Sequence, residues 1–182
     1  MSAQQQAIII SAFACCGKSY AAKYANQMKI PYTVVDLDSE NYSHHKNGKK
    51  NENFIKDYMK AIKHYATQKV ILLVSAHEAV HKALAHERLW HAIVYPRMLL
   101  KAEWLKRMKD RGSPESLVQI FDKNWDEFVA ECERQRAGVH APLAAGKYLS
   151  DVLAPIITKF ERARKNHLLD APADVQARTG QR

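Results

Sequence analysis

The residues that could do chemistry begin with Ala12-Phe13-Ala14-Cys15-Cys16-Gly17-Lys18-Ser19. This octapeptide has the GxxxxGK[ST] layout with alanine in place of the first glycine. It follows the β-branched run Ile8-Ile9-Ile10. A phosphate chain carries several charges, so its site needs several donors converging without side-chain obstruction. A tight loop running into a helix supplies backbone N–H groups and the positive helix end. Lys18 can then reach the outer phosphates and the Ser19 hydroxyl can ligate magnesium. The expected loop contacts are Ala14, Cys15, Cys16, Gly17, Lys18, Ser19 and Tyr20. Ala12 and Cys15 must adopt backbone angles that glycine usually eases. A bare Gly-Lys-Ser recurs by chance in ordinary strand–helix turns; its place after a strand gives it weight. The adjacent thiols are poorly suited to thioredoxin-like exchange, although a helix N-terminus lowers a thiol pKa.

Asp36 and Asp38 end the segment Val34-Val35-Asp36-Leu37-Asp38-Ser39. Residues i and i+2 of a strand share a face, so both carboxylates can point toward a transferred group. Asp38 is expected to hold a magnesium-bound water or orient the acceptor, with Asp36 as the alternative; strand-ending acids without a chemical role are the bland reading. After the next strand, Ser75-Ala76-His77 stands where an acidic residue of a Walker B segment is expected, which shifts magnesium work onto Asp38, or onto Ser75 through water. His77 could contact the acceptor. His44 and His45 read as solvated. Between Arg97 and Arg111 lie Arg97, Lys101, Lys106, Arg107, Lys109 and Arg111 against Glu103 and Asp110, a local excess of four positive charges. Arg107 and Arg111 are four apart and share a helix face. Paired guanidinium groups can bridge donor and acceptor phosphates and neutralise charge during transfer; a solvated basic helix is the plainer alternative.

The elements that must position these groups follow from periodicity. Residues 7–11, 32–36, 69–74, 91–95 and a short stretch near 139–143 read as strands. The near-continuous apolar run at 69–74 indicates burial on both faces, as in a parallel sheet. Helices are expected over 18–28, 52–66, 78–87, 98–110, 115–136 and 147–167, with Pro155 kinking or breaking the last. Residues 38–53 read as a polar loop, and 170–182 as a frayed flexible tail. Strands alternating with helices predict an α/β layer fold with right-handed crossovers.

Length allows one core rather than two, so residues 1–169 read as a single domain. Apolar residues make up 47% of the chain and charged residues 26%, too apolar for a disordered chain. No apolar run approaches the roughly 20 residues a bilayer requires, so no membrane partner is expected. Three cysteines, two of them adjacent, cannot form a disulfide framework, which points to a reducing, cytoplasmic compartment. A net charge of +9 suits an enzyme handling phosphates or a nucleic-acid binder.

Taken together, Ile-Ile-Ser-Ala-Phe-Ala-Cys-Cys-Gly-Lys-Ser, Val-Val-Asp-Leu-Asp-Ser, Val-Ser-Ala-His, Tyr-Pro, the Leu100–Ser113 segment and Lys-Tyr-Leu-Ser-Asp-Val-Leu resemble the bacteriophage branch of the P-loop nucleoside monophosphate kinases. These are similar to adenylate kinase and include deoxynucleoside monophosphate kinases. The resemblance runs over most of residues 7–153. It implies a P-loop NTPase three-layer fold, a five-stranded parallel sheet in order 2-3-1-4-5 with helices on both faces. It also implies a mobile acceptor region near 38–66 and a short lid near 107–122 without zinc-binding cysteines. By the same resemblance, Lys18 and Ser19 serve ATP and Mg2+, Asp38 serves the metal or acceptor side, and Arg97, Arg107 and Arg111 serve the phosphates. Asp36, Ser75, His77 and Arg97 are expected on the substrate side, with Lys18, Asp38, Arg107 and Arg111 in the chemistry. The expected reaction transfers the ATP γ-phosphoryl group to a nucleoside monophosphate, in the host cytoplasm if the chain is phage-encoded.

Two alternatives stay open: a kinase acting on a hydroxyl of a nucleoside, small metabolite or modified DNA base, and a non-enzymatic nucleic-acid-binding module. The second is disfavoured because aromatic residues are not interleaved with basic ones as in a stacking platform. Monomer and homodimer are both compatible with the sequence.

Overall fold

Every residue of β1 (Ile8–Ala12) is buried, because this strand runs down the middle of a sheet covered on both faces. The computed structural model describes residues 5–45 and 47–166; the expected tail at 170–182 lies outside them. To one side of β1 runs β3 (Val70–Ser75), in register Ile8 with Ile71 through Ala12 with Ser75. To the other runs β4 (His91–Pro96), Ile9 facing His91 and Ala12 facing Val94. The edges are β2 (Thr33–Asp36), paired with β3, and β5 (Val139–Leu143), paired with β4. All four pairings are parallel, and the order is β2-β3-β1-β4-β5. The strand order and the two-sided helix cover that the resemblance implies are those observed. Pro142 is tolerated in β5 because an edge strand can spare an N–H.

Alternation along β1 divides the core. Ile9 joins Leu72 and Val74 under α3 (Phe54–Ala66) and α4 (Glu78–His86), which contribute Tyr58, Ile62, Val80 and Leu84. Ile8 and Ile10 face a second cluster that includes Leu153, Ile156 and Phe160 of α7 (Leu149–Lys165) and Ala21 of α1 (Lys18–Lys23). That cluster continues to Trp104 of α5 (Lys101–Asp110) and to Trp125, Val129 and Cys132 of α6 (Glu115–Arg134). Trp90, Trp104 and Trp125 are all core residues.

Departures from the expected elements are local. The 18–28 helix is a six-residue α1 followed by a 3-10 turn at Ala25–Met28. Met98–Leu100 is likewise a 3-10 turn leading into α5. The polar 38–53 stretch contains a short α2 (Glu40–Ser43) and an antiparallel bridge between His44 and Lys50. Pro155 does not break α7, which is assigned helix from Leu149 to Lys165. The carbonyl that a proline four residues on leaves without its helical donor belongs to Asp151, an exposed residue. The break in helical geometry falls instead in α6 at Asn124, with φ −110° and ψ 17°. There the side-chain amide donates to Ile120 O at 2.8 Å.

Candidate active site

The turn from β1 into α1 sits at the carboxyl end of the sheet, where open parallel sheets collect ligands. Phe13 N–H donates to Val94 O at 2.9 Å and Cys16 N–H to Phe13 O at 3.3 Å, folding the loop back on itself. Left-handed conformations occur at Cys15 (φ 60°) and Gly17 (φ 94°). Ala12 needs none; it is a strand residue paired with Ser75 and Val94, so the expected backbone burden falls on Cys15 alone of the two. Gly17 is the N-cap of α1 with no side chain capping it. The first-turn N–H groups of Lys18 and Ser19 are therefore the helix's own unpaired donors. Lys18 Nζ folds back to Ala12 O at 3.0 Å.

Ser19 Oγ donates to Asp36 Oδ2 at 3.0 Å, while Asp36 Oδ1 is buried without a partner among the described residues. Asp38 turns elsewhere: its Oδ1 accepts Glu40 N–H at 3.0 Å and opens α2. The carboxylate beside the loop serine is thus Asp36, not the Asp38 that carried the main expectation. The reason lies in the end of β2: Leu37 N–H still bonds Leu73 O, and the chain turns immediately after it. Asp36 Oδ1 and Ser19 Oγ together offer the hard oxygen ligands that magnesium takes.

Ser75 Oγ lies 2.6 Å from His77 Nδ1. Desolvation, with help from the positive charges of Lys18 and His81, holds His77 below its ordinary pKa. Tyr58 Oη ties the strand ends together, donating to Leu37 O at 2.6 Å and accepting Ser75 N–H at 3.0 Å. Burial pushes its phenol well above the usual range, and Asp36 and Asp38 add to the rise.

Of the six basic residues between Arg97 and Arg111, three have carboxylate partners: Lys101 with Asp122, Lys106 with Asp110 and Arg107 with Glu103. Arg97, Lys109 and Arg111 have none among the described residues. Arg97 stands exposed at the carboxyl end of β4. Arg111 ends α5 and comes beside Cys15. Burial raises the Cys15 thiol's pKa, and the charges of Arg111, Lys18 and Arg107 oppose that rise. Cys16, fully buried, is pushed up to about 12. Neither thiol is therefore an activated nucleophile. Tyr20 is exposed one residue beyond Ser19 and packs on Tyr24, with ring centroids 4.5 Å apart.

Sequence reasoning missed four residues that shape this site. Tyr58 has the spacing of an ordinary core tyrosine. Trp104, whose Nε1 donates to Ala14 O at 2.8 Å, reads as core for the same reason. Glu103 and Tyr148, both packed on Arg107, stand 45 residues apart in the chain and carry no shared motif.

Searches of protein families and of curated proteins found no match. Among solved structures, the chain is similar to the YorR protein of Bacillus subtilis, crystallised in complex with phosphorylated GDP. The TM-score is 0.53 over 88% of this chain and 98% of that one, at 16% sequence identity. The likeness is one of fold. YorR shares the overall path of the chain, whereas the site described above stands on its own geometry.

Proposed function

We propose that this protein is a phosphotransferase moving the γ-phosphoryl group of ATP to a nucleoside 5′-monophosphate, with a deoxynucleotide the favoured acceptor. The observation that carries the reading is the hydrogen bond between Ser19, at the start of α1, and Asp36, at the end of β2, beside a turn flanked by Lys18 and Arg111. Two cations beside the uncapped start of a helix suit a polyphosphate. The nucleotide in the YorR crystal agrees with a nucleotide ligand for a chain of this fold.

Ser19 Oγ and the Asp36 carboxylate would hold Mg2+, whose chemistry is to neutralise charge on the phosphate oxygens. The remaining work belongs to the chain. Backbone N–H groups of Gly17, Lys18 and Ser19 orient the donor phosphates, and Lys18 exchanges Ala12 O for a phosphate oxygen. Arg111 offsets charge on the transferred group, and Arg97 is free at the strand end for the acceptor phosphate. An ionised phosphate acceptor needs no strong base, so positioning and electrostatics suffice.

A hydroxyl acceptor would be better served by a free carboxylate. Asp36 is bonded to Ser19 and Asp38 to Glu40 N–H, which favours the phosphate acceptor. The test is a panel of ribo- and deoxyribonucleoside monophosphates, nucleosides and sugars, incubated with γ-labelled ATP and magnesium. Label should enter a nucleoside diphosphate. Label found only in hydroxyl acceptors, or no transfer at all, overturns the reading.

A further inference from the structure

Arg107 is expected from the sequence to touch phosphate, yet its guanidinium is spent inside the protein. The side chain is 10% exposed. Both terminal nitrogens donate to Lys147 O at 3.0 Å, and Nη2 also donates to Glu103 Oε1. That same carboxylate oxygen accepts Gly146 N–H at 3.0 Å. The guanidinium carbon lies 4.0 Å from the ring centroids of both Trp104 and Tyr148.

Both rings go on to meet the phosphate loop. Trp104 Nε1 donates to Ala14 O at 2.8 Å. Tyr148 covers Gly17, where an added Cβ would stand 3.4 Å from its Cδ1. The next residue, Leu149, donates its N–H to Cys16 O at 2.8 Å. The stack therefore grips the loop on either side of Cys15. We propose that Arg107 is a positioning residue: it clamps the 146–148 turn and Trp104 against the loop and so sets its shape, leaving Arg111 as the guanidinium that meets the transferred group. The assignment rests on the phosphoryl-transfer reading for its kinetic consequences but not for its structural one. A guanidinium held between two rings, with its fork on a carbonyl and a carboxylate, reaches a phosphate only by breaking all four contacts. Lysine there keeps the charge but loses the paired donation.

Cys15 is a built-in reporter, because it is half-buried in the loop while Cys16 and Cys132 are fully buried. Alkylation of Cys15 by iodoacetamide without nucleotide, thermal midpoints, and KM for ATP and kcat are to be measured in wild type, Arg107→Ala, Arg107→Lys, Tyr148→Ala and Arg107→Ala/Tyr148→Ala. Tyr148 is 43% exposed, so its removal leaves the core intact. Arg107→Ala and Tyr148→Ala should each speed alkylation about tenfold through local loosening. KM for ATP should rise and kcat hold within about threefold. Because both act through one stack, the double variant should be no worse than the worse single, and Arg107→Lys should recover part of the effect. A fall in kcat with alkylation and KM unchanged, strict additivity, or a lowered midpoint with neither readout moved would overturn the proposal. A wild-type protein that transfers no phosphate defeats the kinase reading alone; the alkylation rates still decide the role of Arg107.

Discussion

Gly17 and Lys18 do different physical work within one turn. At φ 94° Gly17 occupies a conformation that L side chains rarely adopt, although an added Cβ would make only ordinary contact with Tyr148. Gly17→Ala should therefore cost about 1–2 kcal/mol in a denaturation experiment and weaken nucleotide binding. Lys18→Met should leave the denaturation midpoint nearly in place, since its one bond among the described residues is to Ala12 O. It should lower kcat/KM by about a hundredfold or more, as expected for loss of a charge aimed at developing anionic oxygens. The carboxylates separate in the same way. Asp36→Asn should raise the magnesium concentration needed for half-maximal activity, because Asp36 pairs with Ser19. Asp38→Asn should leave that requirement largely unchanged, because Asp38 is occupied with Glu40 N–H. A titration of rate against magnesium distinguishes the two, and equal shifts would return the metal role to both.

The elements that carry the site are held by large rings in tight quarters. Gly138 precedes β5, and a Cβ there would stand 2.0 Å from Trp90 Cε2. Trp90 cannot yield easily, since its ring meets Phe160 edge-on with centroids 4.3 Å apart. Gly138→Ala should destabilise the fold by about 3 kcal/mol, the upper range for overpacking. In a Gly138→Ala/Trp90→Leu cycle the two losses should be clearly less than additive, because the smaller side chain admits the methyl group. Additive losses would place the strain elsewhere. The α5–α6 corner shows a different economy: Gly112 N–H bonds Lys109 O at 2.9 Å and Ser113 N–H bonds Met108 O at 3.0 Å. These close the helix end directly after Arg111 and present its guanidinium beside the loop.

For the whole molecule, a buried histidine contributes to loss of stability in acid. His91 is 2% exposed; its Nδ1 donates to Leu89 O at 2.8 Å, and Nε2 has no partner among the described residues. Desolvation lowers its pKa to about 4, with neighbouring His81 and His140 contributing in the same direction. The unfolded chain, with an ordinary histidine near 6.5, binds more protons than the fold between the two values. Stability from this group is then complete above about pH 6.5 and is lost as pH falls toward 4, to a total of order 3 kcal/mol. His91→Gln should flatten the acid limb of a plot of unfolding free energy against pH; an unchanged limb assigns the loss to other groups.

Strand and helix placement was legible in the sequence because each is a local signal, whereas the strand order came from the family resemblance. Ile8–Ile10 and Val70–Val74 are apolar at every position because both faces are covered, and Gly17-Lys18-Ser19 announces a helix start with cationic reach. The boundaries slipped where short-range geometry competes, as in the 3-10 turns after α1 and before α5. What the tertiary structure alone decided are relations between residues remote in the chain. Ser19 meets Asp36 across two elements, Arg107 meets the 146–148 turn across forty residues, and Trp104 reaches Ala14 across ninety. Residue type tells what a side chain can bond to, but its partner is chosen by which backbone segments the sheet brings together. That is why the cations could be named from spacing, while the division between a free guanidinium and a clamped one required the fold.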